Sequence, residues 1–373
     1  MKKIFSTVLC FIIIITSSLS VHAQAAPLDE ADIIAVGDLL CLNAQLSYAK
    51  RGSSYSFDYV FNAIKGDLVS CDLAIGNLET CLAGQSAGLT TPAKREPILD
   101  DNGEPVLDEN GKPKTKTLSL PKINAPLSFA DAIKNAGFGF VVTANNHTMD
   151  KGNSGVAATI NALKERNIKF TGTSSDGDRH IEVMDINGIK TTILSYTMFI
   201  NSGTEAPAHS YTVNMYSKSA CAADIAAARE LGADYVIVYI HWGDENRPVN
   251  QSQRVTAQEI ADAGADLILG SHPHVLQSAE YLRSRTDNNR ILCVYSLGNF
   301  ISSMATVANK DTITLHIKLR RWQSGRIDTV LAEYKPYYSG SRFEIVPASS
   351  AGKTHISSTL GDALTPVNEF YMR

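Results

Sequence analysis

The stretch LILGSHPH, residues 267–274, indicates the fold of this chain more clearly than any other. Three apolar residues precede Gly270, and a short apolar run that ends at glycine is typical of a buried β-strand. His272 and His274 follow it two residues apart, so an extended backbone directs both side chains to the same side. Ligands of α/β sheets bind beyond the carboxyl ends of the strands, so this stretch predicts a strand that leads into a site. A hydrogen-bonded polar loop is the other interpretation.

Four more apolar runs end in residues that can bind metal ions: IIAVGD (33–38), LAIGNLE (73–79), VVTANNH (141–147) and VIVYIHWG (236–243). Each run alone has a structural interpretation, such as a turn, a helix cap or a packed aromatic corner. Together they supply Asp, Glu, Asn and His, which suit divalent first-row metals. A two-metal hydrolytic centre needs a carboxylate that bridges ions about 3.5–4 Å apart. The order and number of these runs favour such a site over five unrelated structural features.

Strands and helices alternate along the chain. Apolar periodicity and end signals predict helices over residues 57–65, 127–135, 153–166, 220–231 and 255–263, with apolar strand-like runs between them. This alternation predicts an α/β domain over residues 32–319, followed by a β-rich extension packed on it over residues 320–373.

The composition is that of an ordinary globular protein. The 373 residues are 44% hydrophobic and 19% charged, and 34 Lys+Arg against 38 Asp+Glu give a net charge of -4. This excludes disorder, collagen and coiled coil. Because a nucleic-acid-binding protein usually has a basic face and no basic run occurs here, we expect no nucleic-acid partner.

The N-terminus resembles an export signal. Lys2 and Lys3 precede an apolar stretch over residues 4–16, and small residues around Ala23 offer a cleavage site. This pattern predicts a signal peptide over residues 1–23 and an extracytoplasmic location, secreted or at the cell surface. An uncleaved N-terminal membrane anchor is the other interpretation.

Residues 83–119 interrupt the alternation, and we call them the insertion. They are rich in turn-forming residues, including DNG (101–103) and ENG (109–111), so residues 97–116 are predicted to form a surface hairpin. A small calcium loop is a weaker alternative, because the EF-hand pattern needs more ligands. Whether Cys71 pairs with Cys81 beside the insertion stays open.

Six motifs together resemble the CapA family of capsule or poly-γ-glutamate biosynthesis proteins. They span about residues 32–302 and are GD (37–38), NLE (77–79), ANNH (144–147) with Asp150 and Gly152, HWG (241–243), GSHPH (270–274) and SLGNF (296–300). The family is in turn similar to the calcineurin-like metallophosphatases. The resemblance implies an α/β/β/α metallophosphatase-like sandwich with the insertion on its surface.

The resemblance also implies a role for each motif residue. His147 is the general acid, Asp150 orients it, and the metal ligands are Asp38, Glu79, Asn146, His241, His272 and His274. One divalent ion, with Mn, Fe or Zn as plausible metals, would have Glu79, Asn146, His241 and His272. The other would have only Asp38, Glu79 and His274, because Leu40 stands where metallophosphatases have a further histidine.

Two functions from different classes follow. The first is an extracytoplasmic metal-dependent hydrolase of a phosphoester, in which His147 protonates the leaving group. The second is a non-catalytic component of a membrane synthesis and export complex that holds the anionic polymer poly-γ-glutamate or a partner in a degenerate metal cleft. Lys94, Arg95, Lys112, Lys114 and Lys116 of the insertion are candidate contacts for that polymer, with solvated surface charge as the alternative.

Overall fold

The computed structural model describes residues 29–367. The predicted signal peptide, residues 1–23, lies outside this range. None of the helices within residues 29–367 is both long enough and apolar enough to cross a membrane.

The first of two large sheets contains the strands that carry three of the predicted ligand motifs. Its order is β18-β17-β16-β1-β4-β7-β8, with β15 beside β1 and β19 beside β17. Strands β1, β4, β7 and β8 are parallel, so their carboxyl ends lie at one edge of the sheet. The strands are β1 (Asp29–Leu39), β4 (Leu73–Asn77), β7 (Phe140–Val142), β8 (Lys169–Thr171), β15 (Asn299–Ile301), β16 (Asp311–Arg321), β17 (Ile327–Ser339), β18 (Ile345–Pro347) and β19 (Thr365–Pro366).

The second sheet carries the remaining motifs. Its order is β13-β14-β12-β11-β10-β9, and β10, β11, β12 and β14 are parallel. Its strands are β9 (Met184–Ile186), β10 (Ile189–Thr197), β11 (Tyr235–His241), β12 (Leu267–Ser271), β13 (Ala279–Arg283) and β14 (Arg290–Val294). Short hairpins pair β2 (Lys50–Arg51) with β3 (Ser54–Tyr55), and β5 (Lys94–Pro97) with β6 (Thr115–Ser119).

Three apolar layers hold the sheets and helices together. Ile33 and Ile75 of the first sheet and Ile237 of the second belong to one buried cluster between the sheets. A second cluster lies between the first sheet and its helices, and a third between the second sheet and α5 and α6. The helices are α1 (Asn43–Ala49), α2 (Lys65–Ser70), α3 (Leu127–Ala136), α4 (Gly152–Glu165), α5 (Lys218–Glu230), α6 (Gln251–Asp262), α7 (Val307–Lys310) and α8 (Ser350–Leu360). The expected layered α/β sandwich is therefore confirmed.

The segment around residues 57–65 differs from the predicted helix. It forms a 3₁₀ turn over Asp58–Phe61, and α2 begins only at Lys65. Phe57, Phe61 and Ile64 are nonetheless buried, at 2%, 1% and 0% exposure. The apolar period therefore identified buried positions correctly, although it did not fix the hydrogen-bonding pattern of the backbone.

The insertion is organised by local hydrogen bonds. Asp100 Oδ1 accepts from the backbone N–H of Asn102 and Glu104, each at 2.9 Å. Asp108 makes the same turn with Asn110 and Lys112, at 2.8 and 2.9 Å. These two carboxylates stabilise their own turns.

The segment after β16 continues the first sheet. Strand β17 pairs with β16 along its length, and Ile356 and Leu360 of α8 are buried in the cluster between the sheets. Cys71 and Cys81, whose pairing the sequence left open, are free thiols.

Candidate metal centre

The predicted ligands meet where the carboxyl ends of strands from both sheets approach each other. Each lies at, or within a few residues beyond, the end of a parallel strand, and each is at most 6% exposed: Asp38 on β1, Glu79 after β4, Asn146 and His147 after β7, His241 on β11, and His272 and His274 after β12. Local sequence brings each residue to a strand end, and the packing of the two sheets brings the ends together.

Two glycines allow this close approach. A Cβ atom at Gly37 would lie 1.9 Å from the carbonyl oxygen of Gly298, and one at Gly270 would lie 2.0 Å from that of Tyr295. Any side chain at either position would therefore displace the backbone next to Asp38 or next to His272.

Glu79 lies at the centre of the cluster. Its Oε1 lies 3.7 Å from His241 Nε2 and 3.8 Å from His274 Nε2. The side chain is fully buried, yet neither carboxylate oxygen has a hydrogen-bond partner among residues 29–367. Burial, with the nearby Asp38 carboxylate, raises the pKa of Glu79 well above its usual value. A buried carboxylate without partners is costly unless a cation binds it.

Asp38 and His274 form the acidic side of the cluster. Asp38 Oδ1 accepts from Asn77 Nδ2 at 2.8 Å, while Oδ2 lies 3.3 Å from His274 Nδ1 and accepts no hydrogen bond from the described residues. Burial alone would lower the pKa of His274, but the carboxylates of Glu79 and Asp38 outweigh it and raise that pKa to about 10. This side therefore attracts positive charge.

His241 and His272 form the neutral side. His241 Nε2 lies 2.9 Å from Asn146 Oδ1, and its Nδ1 lies 3.1 Å from the Ser271 hydroxyl. Burial and the neighbouring histidines lower the pKa of His241 well below its usual value, and the same causes lower that of His272 to about 3. Both rings are therefore neutral, the form that binds metals. His272 Nδ1 is buried and lacks a partner within the described chain.

The donor set fits divalent metal ions. Two groups have ligand atoms within 4.8 Å of one another, Glu79 with His272 and His274, and Asp38 with Glu79 and His241. With metal–ligand bonds of about 2.1 Å, two atoms on one ion lie at most about 4.2 Å apart. The separations of Glu79 Oε1 from His241 Nε2 and from His274 Nε2 satisfy this limit. Glu79 belongs to both groups, as a bridging ligand would.

The two groups divide the ligands differently from the resemblance. The resemblance places His241 and His272 on one ion and Asp38 and His274 on the other, whereas each group combines a residue from both sets. Leu40, at the position of the missing histidine, is 2% exposed and supplies no ligand atom.

His147 lies beside the cluster and is held by two side chains. Its Nδ1 is 2.6 Å from Asp150 Oδ2 and 3.3 Å from Asn201 Nδ2. Asp150 Oδ2 also accepts from the backbone N–H of Ile123 at 2.6 Å, which fixes the carboxylate. Asn201 Oδ1 accepts from Asn146 Nδ2 at 3.2 Å, so one residue connects the candidate acid with a candidate ligand.

Several residues of the centre did not emerge as site residues from the sequence. Asn201 and Phe199 lie in an irregular segment after β10 that has no motif, and the Phe199 ring centroid is 4.8 Å from that of His272. Asn77 belongs to the NLE motif and Asn299 to the SLGNF motif, although neither was predicted as a site residue. Asn299 Oδ1 is 3.0 Å from His274 Nδ1, so the SLGNF motif orients a ligand.

A family model matches most of the chain. Residues 32–304 match the model of the bacterial capsule synthesis protein family PGA_cap, which covers more than half of the chain. The chain belongs to this family. The matched range includes all eight predicted site residues, from Asp38 to His274.

Two Bacillus proteins are among the similar relatives. The capsule biosynthesis protein CapA of Bacillus anthracis is 29% identical over 283 residues, 74% of this chain and 61% of that protein. The PGA biosynthesis protein CapA of Bacillus subtilis is 31% identical over 201 residues, 52% of this chain and 51% of that protein. The chain thus spans between half and two thirds of the length of these relatives.

Solved structures with partial similarity include a nucleotidase and a phosphoesterase. The NAD nucleotidase of Haemophilus influenzae gives a TM-score of 0.47 at 11% identity, covering 92% of this chain and 57% of that one. The calcineurin-like phosphoesterase YfkN of Bacillus subtilis gives a TM-score of 0.42 at 12% identity, covering 89% of this chain and 96% of that one.

Proposed function

We propose that this member of the capsule synthesis family is an extracytoplasmic, metal-dependent hydrolase that cleaves a phosphoester during synthesis or export of a capsule polymer. The observation that carries the proposal is Glu79, whose two carboxylate oxygens are buried between Asp38 and three histidines without a hydrogen-bond partner among the described residues. Such an arrangement is costly in the empty protein and becomes favourable when cations bind, because their charge offsets the desolvation of the carboxylates.

The chain's own residues would hold the ions and orient the ligands. Asp38, Glu79, Asn146, His241, His272 and His274 supply the ligand atoms, while Ser271 and Asn299 fix the rings of His241 and His274. Divalent ions bound in such a site supply Lewis-acid chemistry toward a phosphoryl group. Their identity is open among Mn, Fe and Zn.

His147 supplies the proton for the leaving group. Its Nδ1 faces the Asp150 carboxylate at 2.6 Å, which orients the ring and leaves Nε2 to deliver a proton. His147 is only 6% exposed, so few waters compete for that proton. Asn201 Nδ2 lies 3.3 Å from the same ring nitrogen, Nδ1.

The test is an assay of the full secreted chain purified without chelator. We expect bound divalent metal and metal-dependent hydrolysis of p-nitrophenyl phosphate or its diester, lost when chelator removes the metal. Protein that binds metal firmly but hydrolyses neither compound nor any phosphorylated capsule precursor would contradict the proposal.

A second function is favoured by one observation, the absence of a ligand at Leu40. With Asn77 also donating to one oxygen of Asp38, the acidic side has fewer free ligand atoms than a full two-metal centre needs. In this alternative the cleft holds poly-γ-glutamate or a partner of the membrane synthesis complex without catalysis. Cells that carry His147→Ala distinguish the two functions, because polymer production persists only if the protein is not an enzyme.

A further inference from the structure

The segment after strand β10, residues 198–204, bonds to both sheets at the candidate metal centre, and we call it the strap. The backbone N–H of Met198 donates to the carbonyl oxygen of His241 at 3.0 Å, and that of Asn201 donates to the carbonyl oxygen of Asn146, also at 3.0 Å. His241 ends β11 of the second sheet, whereas Asn146 follows β7 of the first. The strap therefore connects two candidate ligands that lie on different sheets.

The side chain of Asn201 makes a second contact with Asn146. Asn201 Oδ1 accepts from Asn146 Nδ2 at 3.2 Å, so the two residues are bonded through the backbone and through the side chains. Asn201 is 9% exposed and Asn146 is 3% exposed, so water has little access to this bond. On its other side the Asn146 amide places Oδ1 2.9 Å from His241 Nε2. Within residues 29–367 the Asn146 side chain has no further hydrogen bond.

These contacts bear on which atom of the Asn146 amide faces the centre. An asparagine amide has nearly the same shape in its two orientations, one presenting its oxygen and the other its NH₂ group. Divalent ions bind the oxygen, whereas the NH₂ group only donates hydrogen bonds. The contact with His241 does not select an orientation, because a neutral imidazole nitrogen donates or accepts according to its tautomer. An acceptor at Asn201 does select one, because only the Asn146 nitrogen can donate to it.

We infer that Asn201 is a positioning residue, which holds the Asn146 amide with its oxygen toward the candidate metal centre and thereby raises the affinity of the centre for a divalent ion. The inference rests on the metal site of the proposed function and does not require hydrolysis. It extends that site to a residue outside all six sequence motifs. Side chains that orient metal ligands typically contribute about 10–100-fold to metal affinity, which sets the size of the expected effect.

A role for Asn201 toward His147 is the alternative. Asn201 Nδ2 lies 3.3 Å from His147 Nδ1, but the same ring nitrogen lies only 2.6 Å from Asp150 Oδ2. The carboxylate therefore orients the ring of His147 without help from Asn201. The Asn146 nitrogen, in contrast, has no second acceptor within the described chain, so the loss of Asn201 should affect Asn146 more.

Metal titration tests this inference without an assay of hydrolysis. The full secreted chain is freed of metal with chelator and titrated calorimetrically with Mn²⁺ and, in a separate experiment, with Zn²⁺. Asn201→Leu has nearly the shape of asparagine but no acceptor, and we expect it to weaken the more tightly bound ion about 10–100-fold. Asn201→Asp can only accept, so it keeps the Asn146 amide in the same orientation and should bind that ion at least as tightly as wild type.

Thr204→Val is the matched control within the strap. Thr204 Oγ1 donates to the carbonyl oxygen of Asn201 at 2.9 Å, and valine keeps the shape of threonine without that donor. Because this bond does not touch Asn146, the control should stay within about twofold of the wild-type affinity. Thermal unfolding of each metal-free variant shows whether it is folded. If Asn201→Leu does not fold, Asn201→Ala removes the same acceptor and takes its place.

Three results would overturn the inference. The first is wild-type affinity in Asn201→Leu, and the second is an equal loss of affinity in Thr204→Val, which would mean that the strap acts only through its own folding. The third is an equal loss in Asn201→Asp, because a residue that orients Asn146 by accepting a hydrogen bond must be replaceable by another acceptor.

The inference and the proposed function can fail separately. Affinity that is lost in Asn201→Leu and kept in Asn201→Asp, in a protein that hydrolyses no phosphoester, overturns the hydrolase and retains the inference. Metal-dependent hydrolysis by wild type, together with unchanged affinity in Asn201→Leu, has the opposite meaning. A wild-type chain that binds neither Mn²⁺ nor Zn²⁺ overturns both.

Discussion

The candidate metal centre and the insertion lie side by side but are stabilised in opposite ways. The centre joins residues far apart in sequence, such as Asp38 and His274, and leaves buried oxygens of Asp38 and Glu79 without hydrogen-bond partners among the described residues. Residues 94–119 of the insertion are held by hydrogen bonds within their own turns and between β5 and β6, and most of them are exposed. The centre therefore lowers the stability of the metal-free protein, because its polar ligand atoms are buried for ligand binding. The insertion contributes little to the stability of the core.

The largest effect should follow from Glu79→Gln. The amide has the same shape but no charge, so we predict loss of both metal ions together with all hydrolysis. The metal-free variant should be more stable than metal-free wild type by about 1–3 kcal/mol, because a buried carboxylate without partners is removed. Metal analysis and urea unfolding test both statements.

Glu230 is exposed, so Glu230→Gln serves as the control for loss of one negative charge. We expect this control to change neither the metal content nor the free energy of unfolding. A Glu79→Gln variant that retains wild-type metal content would show that the shared carboxylate is not a ligand.

His147→Ala should have the next largest effect. We predict that hydrolysis falls by about 10²–10⁴-fold, the usual contribution of a general acid, while metal content is retained. Steady-state kinetics with a good and a poor leaving group provide the measurement, since loss of an acid matters more for the poor one. The control is His180→Ala, which removes a second histidine paired with an aspartate, at an exposed site. Equal losses for both leaving groups would argue against proton donation.

A smaller effect is expected on the acidic side. Because Leu40 supplies no ligand, we predict that Asp38→Ala reduces only the weaker of two bound ions, whereas His241→Ala removes the firmly held one. Metal content after dialysis gives the comparison. The two ligand groups share Glu79. If either substitution lowers the content of both ions equally, the prediction of one weak and one firmly held ion is wrong and the centre binds its ions as one unit.

The smallest effect should come from replacing residues 97–116 with a short linker. These residues lie on the surface and bond mainly to each other, so we predict cooperative unfolding with a melting temperature within a few degrees of wild type. Thermal unfolding by circular dichroism measures this. A broad, non-cooperative transition would mean that the insertion supports the core.

The strands of the two sheets could be predicted because their signals are local. Short apolar runs ending in glycine or a polar cluster, such as 33–38 and 267–274, require only neighbouring residues to be recognised. The same reasoning failed for the helix over 57–65, where tertiary packing buried Phe61 and Ile64 without a regular helix. It also gave no signal for α8.

The sequence by itself determined the kinds of ligand and the strand ends that present them. Residue identity dictates metal preference, and a glycine such as Gly37 permits close approach through its own lack of a side chain. Only the tertiary structure decided that Asn201 lies beside His147, that Glu79 belongs to two ligand groups, and that residues 117–122 line a cleft with Asp150. These relations depend on how two sheets pack and where loops cross them, and neither is encoded in the spacing of residues along one strand.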